Sequence, residues 1–237
     1  MQLTQIKQLT GTLVLKTGLH IGAGDTEMRI GGTDNPVAKN PLDGQPYIPG
    51  SSLKGKIRSL LEWQGGLVTA ANGKPFSFQH LAKQDTPAAR DLLRLFGGAP
   101  GGEVEKLAQE IGPTRLAFWD CALNVDWLKA LQARNILSTE AKSENSIDRI
   151  RGVAENPRFT ERVIAGAEFD FRLSFKVIDG EDLLPMALQG LKLLEADSLG
   201  GSGSRGYGKI AFTKLALDGD GAIQARFDAI LPFATAA

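Results

Sequence analysis

Among 237 residues there are one cysteine and two histidines. A single thiol cannot close an intrachain disulfide, and Cys121 lies in the apolar run 116–125, so a buried inert thiol is expected. Two histidines leave almost no raw material for a Ser-His-Asp triad or a zinc site, and neither HExxH nor GxSxG is present. Charge of one sign is also lacking, since 27 Lys and Arg balance 27 Asp and Glu. That excludes a strongly basic whole chain, so any polyanion must be held by local clusters. No apolar run approaches the ~18 residues that span a bilayer. The N-terminus has no charged stretch followed by an apolar one, so no signal peptide is read. A soluble, cytoplasmic protein with no membrane partner is the expectation.

Glycine is abundant instead, with 28 residues. They cluster at 22–32, 97–102 and 200–208, which indicates specialised loops and not a linker. Leu9, Leu13, Leu15, Leu19 and Ile21 alternate with Thr10, Thr12, Lys16 and His20, predicting a half-buried strand over 9–21. After a long loop, Pro49-Gly50-Ser51 opens a helix with Ser51 as N-cap, and Leu53, Ile57, Leu60 and Leu61 form its core face. Residues 66–113 read as an insertion with a short helix near 88–96. A buried strand is predicted over 114–125 and a short helix over 127–134. Residues 135–165, polar and without clean periodicity, form a second insertion. Phe169, Phe171, Leu173, Phe175 and Val177 mark the clearest strand, over 167–177. An amphipathic helix from Leu184 follows, with Glu181 and Asp182 at its positive end. A glycine loop then leads to a last strand over 207–217.

Without the insertions the order is strand–helix–strand twice over. That predicts an α+β, ferredoxin-like or RRM-like βαββαβ core in a single domain, 1–237. Two helices would cover one sheet face and leave the other free, the layout on which RRMs lay single-stranded RNA.

The glycine loop, Gly200-Gly201-Ser202-Gly203-Ser204-Arg205-Gly206-Tyr207-Gly208-Lys209, overlays both a dinucleotide fingerprint and most of a P-loop. Both motifs need a strand before and a helix after, and here the order is reversed. Arg205 to Phe212 also follows much of the RNP1 pattern, but on a last strand and not an inner one. Its chemistry still favours a polyanion: from Leu199 to Leu217 there are three basic residues and no acidic ones, and glycines admit phosphates close to backbone N–H groups. A sharp turn with solvated cations is the plain alternative. Ser51-Ser52-Leu53-Lys54-Gly55-Lys56-Ile57-Arg58 is a second cluster, where a helix N-terminus meets Lys54 and Arg58 on one face. An ordinary capped surface helix is its alternative. Asp34, flanked by glycines in the long loop, fits either a catalytic carboxylate or an Asx-turn.

Several segments together resemble the Csm-type (III-A CRISPR) backbone subunit of the RAMP superfamily. They include Leu19-His20-Ile21-Gly22-Ala23-Gly24, Gly32-Thr33-Asp34-Asn35-Pro36-Val37, Tyr47-Ile48-Pro49-Gly50-Ser51-Ser52-Leu53-Lys54-Gly55, Glu144-Asn145-Ser146-Ile147-Asp148-Arg149-Ile150, Arg162-Val163-Ile164-Ala165-Gly166-Ala167-Glu168-Phe169, and the glycine loop. The resemblance implies copies of the chain stacked along a guide (CRISPR) RNA beside other Csm-type effector subunits. His20, Ser51, Ser52, Lys54, Arg58 and Gly200 to Arg205 (Gly200, Gly201, Ser202, Gly203, Ser204, Arg205) would bind that RNA. It implies that 135–165 is a thumb hairpin splaying the guide–target duplex, whereas 66–113 matches the family least well and is assigned no role beyond a lid-like cover over the guide. It further implies cleavage of single-stranded target RNA at regular intervals, with Asp34 as catalytic residue and weak ligand of Mg2+ (or Mn2+), completed by phosphates and water. The chemistry is coherent, because RNA brings its own nucleophile, the 2′-OH, and needs mainly in-line orientation. Base pairing would read the sequence, leaving the protein only backbone contacts. A non-catalytic guide-RNA scaffold and a guide-processing endonuclease with His20 as base are the alternatives. A metabolic enzyme holding a nucleotide on the glycine loop is a third.

Overall fold

The computed structural model describes residues 1–24, 35–81, 83–99 and 104–233. Strand β1 (Leu3–Leu15) lies at the centre of an antiparallel sheet between β7 (Glu168–Ile178) and β8 (Ile210–Leu217). Strand β3 (Leu116–Phe118) completes the order β3-β7-β1-β8. Helices α1 (Gly50–Gln64) and α7 (Leu184–Ala196) pack on one face. In terms of the four core strands the order is 2-3-1-4, the ferredoxin-like arrangement predicted from the element order.

The alternation in β7 explains this placement. Phe169, Phe171, Leu173 and Phe175 all point inward and meet Leu9, Leu13 and Leu15 of β1 and Ile210 and Phe212 of β8. Phe171 and Phe212 cross edge to face at 4.9 Å, and Phe227 of α8 (Ile223–Asp228) continues the stack onto Phe212. On α7, Gly190 leaves room for Ile57 and Leu61 of α1, so the two helices pack closely.

Three boundaries differ from the sequence expectation. Strand β1 starts at Leu3 and stops at Leu15; its first residues are exposed and carry no burial alternation, while Leu19 leaves the sheet to bridge Val163. The run 114–125 is not one buried strand. It breaks at Trp119-Asp120 into β3 and β4 (Cys121–Ala122), and β4 pairs instead with β2 (Tyr47–Ile48). The break serves α1, because the Asp120 carboxylate accepts the Gly50 N–H at 2.7 Å. Third, Ser51 is not the N-cap. Pro49 holds that position with no side-chain bond, and Asp120 supplies the capping carboxylate from outside the helix.

Residues 66–113 form α2 (Leu67–Ala70), α3 (Phe78–Leu81), α4 (Pro87–Phe96) and α5 (Glu105–Ile111). Thr86 caps α4 by accepting the Ala89 N–H at 3.1 Å. Phe76, Leu92, Leu95 and Phe96 are fully buried and continuous with the main core. This segment is therefore built into the domain's packing. Asn124 caps α6 (Val125–Ala133) in the same way as Thr86 caps α4, through the Trp127 N–H. The polar stretch after α6 is a two-stranded hairpin, β5 (Thr139–Asp148) and β6 (Val153–Val163), standing outside the main sheet. Both of its faces are largely solvated, so its side chains follow no apolar period. Cys121 is fully buried, and burial pushes its thiol up to about 12, keeping it protonated and inert. Among the described residues no helix is long and apolar enough to cross a membrane.

Candidate functional site

The glycine loop leaves the end of α7 and closes as one 3-10 turn over Gly203–Arg205. It is folded against the backbone of His20. Gly200 has φ +74°, and a Cβ there would collide with the His20 carbonyl oxygen. The Gly201 N–H donates to that same oxygen at 2.9 Å, and the Gly208 N–H donates to Gly18 O. Ser202 itself sits at φ +62°. The turn uses the N–H groups of Arg205 and Gly206 internally. The N–H groups of Ser202, Gly203 and Ser204 have no partner among the described residues. Successive free amides of this kind form a concavity that accepts anions. Arg205 lies exposed at its rim, bonded to the Ser202 hydroxyl.

His20 is half-buried, with Nδ1 2.7 Å from the carbonyl oxygen of Glu161. A carbonyl only accepts, so in the neutral ring Nδ1 carries the hydrogen and Nε2 is left as an acceptor. The predicted RNA contacts His20 and Gly200 to Arg205 thus form one surface.

The first turn of α1 is a separate element of the site. Ser51 is exposed and Ser52 half-exposed, with no side-chain hydrogen bond among the described residues. Lys54 has no carboxylate partner there either. It lines a groove of about 470 Å³ with Ser51, Gly55, Trp63 and Lys74. Arg58 lines the same groove with its charge already engaged. Its Nε bonds Glu62 at 2.8 Å and its guanidinium also reaches the carbonyl of Phe76. Glu62 is buried and accepts the Phe76 N–H at 3.0 Å. Arg58 therefore ties the 66–113 segment to α1. Lys56, half-exposed at the next turn, pairs with Asp197 at 2.6 Å and so links α1 to the start of the glycine loop.

The hairpin base closes the surface from the other side. The Asn35 carbonyl accepts the Glu161 N–H at 3.1 Å, and Leu19 pairs with Val163. Glu161 is buried and binds the Lys39 ammonium at 2.6 Å and the Val37 N–H at 3.0 Å. Burial alone would raise its carboxyl, but the bonds from Lys39, Val37 and Thr139 outweigh it and hold its pKa below the ordinary value. Glu161 thereby clamps 35–39 to the hairpin.

Asp34, the predicted catalytic and metal-binding residue, lies outside the described residues. Among those residues, no group of three or more His, Cys, Asp or Glu side chains could hold a metal ion. The described donors therefore make no metal site by themselves.

The RAMP superfamily profile matches residues 12–211, which is most of the chain. A Streptococcus thermophilus protein named CRISPR system Cms endoribonuclease Csm3 is 43% identical over 207 residues, spanning 85% of this chain and 84% of its own. The chain belongs to the Csm3 family of the RAMP superfamily. A Mycobacterium tuberculosis protein of the same name is 42% identical over 226 residues, covering 88% of this chain and 86% of that one. A chain of the crystal structure of the Csm3-Csm4 subcomplex in the type III-A CRISPR-Cas interference complex superposes with a TM-score of 0.56 at 29% identity. It covers 92% of this chain and 80% of that chain.

In this Csm3-family chain four organising residues escaped the sequence reading. Asp120 caps α1, Glu161 clamps 35–39, and Glu144 and Tyr207 join the hairpin to the glycine loop. Tyr207 alone left a signal, as the aromatic of the glycine motif. The three carboxylates act across more than 60 residues of sequence, where no local pattern points to them.

Proposed function

We infer that this protein is the backbone subunit of a type III CRISPR ribonucleoprotein, binding guide RNA as a row of copies and cleaving complementary target RNA. One observation carries the reading. The match to relatives named as endoribonucleases runs over more than four-fifths of both chains, so it is not confined to a shared core. The site supports it. Free loop amides, Arg205 and Lys54 offer donors to a sugar–phosphate backbone, and base pairing to the guide would read the sequence. The Csm3-Csm4 subcomplex among its structural neighbours favours a Csm4-type subunit as a partner.

Asp34 is the proposed catalytic carboxylate, and Mg2+ or Mn2+ the proposed cofactor, held through Asp34, RNA phosphates and water. The hairpin β5–β6 would act as a thumb and the 66–113 helices as a lid over the guide. The chain's own part in the reaction is orientation, fixing the RNA backbone so that a 2′-OH can approach the adjacent phosphorus in line.

The test is incubation of the assembled complex with labelled complementary RNA, with and without EDTA. Regularly spaced products that disappear with EDTA are expected. Products that persist at full rate in EDTA would overturn the metal assignment, and binding without any products would leave a scaffold.

A further inference from the structure

The contact between the glycine loop and the hairpin is an ion pair with an unusual setting. Tyr207 is fully buried beneath it and donates its hydroxyl to Glu144 Oε1 at 2.9 Å. The Lys142 ammonium lies 4.5 Å and the Arg162 guanidinium 4.9 Å from the centre of the tyrosine ring. The other oxygen of Glu144 faces the Arg205 Nε at 3.2 Å, and Arg158 stands directly across from Glu144 in the hairpin register. Glu140 is already engaged by Arg162 at 2.7 Å. Around Tyr207 the fold thus pairs Arg205 with Glu144 and Arg162 with Glu140 and lays Lys142 over the ring, while Arg158 is the register partner of Glu144 and the free amides of Ser202, Gly203 and Ser204 belong to the same loop as Arg205.

A cluster richer in cations than in carboxylates, with unpaired amides in the adjoining loop and Glu144 held against an exposed arginine, is the arrangement expected of an anion site filled by the protein's own side chain. Arg205 is 60% exposed on its side chain and Glu144 19%, so their pair is wet on one side and exchangeable at small cost. We propose that Glu144 stands in for an RNA phosphate, and that a backbone phosphodiester of single-stranded RNA takes its place against Arg205, Lys142 and the loop amides. The displaced carboxylate keeps the Tyr207 hydroxyl, so the hairpin remains attached to the loop when RNA is bound. This rests on the guide-binding reading above and adds a subsite, with Lys142, Glu144 and Tyr207 as new members.

The proposal predicts an effect of unusual sign, because removing a native ion-pair partner should strengthen binding. Glu144→Gln preserves an acceptor for Tyr207 and removes the competing charge. Fluorescence anisotropy of a labelled single-stranded RNA titrated with the full-length chain is the measurement. The variant should bind about three- to tenfold more tightly. Its dependence of log Kd on log salt should be steeper by about 0.7, because Arg205 is no longer neutralised before RNA arrives. Equal or weaker binding with a wild-type melting curve would overturn the proposal. If the Gln variant does not fold, Glu144→Ala is read in the same way. Failure of both to fold would make Glu144 a structural anchor and also overturn it. Wild type that binds no RNA would instead sink the guide-binding reading, and the subsite with it.

Discussion

Two arginine–glutamate pairs, Arg58–Glu62 and Arg205–Glu144, are alike in chemistry and opposite in use. In the first the side chains are 16% and 7% exposed, and both partners also bond the backbone of Phe76. In the second the arginine is 60% exposed and follows three free amides, those of Ser202, Gly203 and Ser204. Burial decides the difference. A buried pair cannot exchange a partner without leaving a bare charge in low dielectric, so it fixes structure. An exposed pair contributes little to stability and is available to a ligand. The sequence places both arginines in equally basic, glycine-containing segments, and only the fold separates the anchor from the proposed ligand site.

Breaking the buried pair should have the largest effect. Arg58→Ala leaves Glu62 buried without its cation and should cost about 3–5 kcal/mol, read by denaturant unfolding. A loss under about 1 kcal/mol would show that Arg58 does not anchor the 66–113 segment. Arg205→Ala is the counterpart. It should leave stability nearly unchanged and weaken single-stranded RNA binding about tenfold, or about 1.4 kcal/mol. An unfolding midpoint that drops as far as in Arg58→Ala would erase the distinction. Asp120→Ala probes the external cap of α1 and should cost about 1 kcal/mol, with RNA affinity following only as far as the helix frays.

The smallest expected effect concerns pH. The folded-state pKa of Glu161 is depressed, so its contribution is fully present above the ordinary carboxylate value of 4.5 and is lost as pH falls through the lower folded value. Glu161→Gln should therefore melt below wild type at neutral pH, and the two should converge on acidification below about 4.5. A gap that persists undiminished through that acidic range would show that Glu161 acts by packing and not by charge.

Legibility of the fold tracked burial. The alternation of Phe169 to Val177 and the spacing of Leu53 to Leu61 express one-sided burial, and both elements form where the pattern places them. The hairpin 139–163 has two solvated faces, so nothing in its residues marked strands, and only the family resemblance pointed to a hairpin. The run 114–125 misled because apolar residues on both sides of Asp120 read as one strand, while the break depends on a helix 70 positions away. For the site, the glycine loop was legible because a tight turn against His20 demands glycine at Gly200. The bonds of Arg58 to Glu62 and Phe76 are not legible, because helical spacing reports which face a cation shares and not what else packs there. Glu144 carries no local signal of its role, because its ion pair with Arg205 spans 61 positions of sequence.

Cleavage by the assembled complex, comparing wild type with Asp34→Ala, tests the central claim most directly. Labelled complementary RNA is supplied with Mg2+, and binding is measured alongside. The account predicts regularly spaced products from wild type and none from the variant, with target binding unchanged. A variant that still cuts at every interval would contradict it.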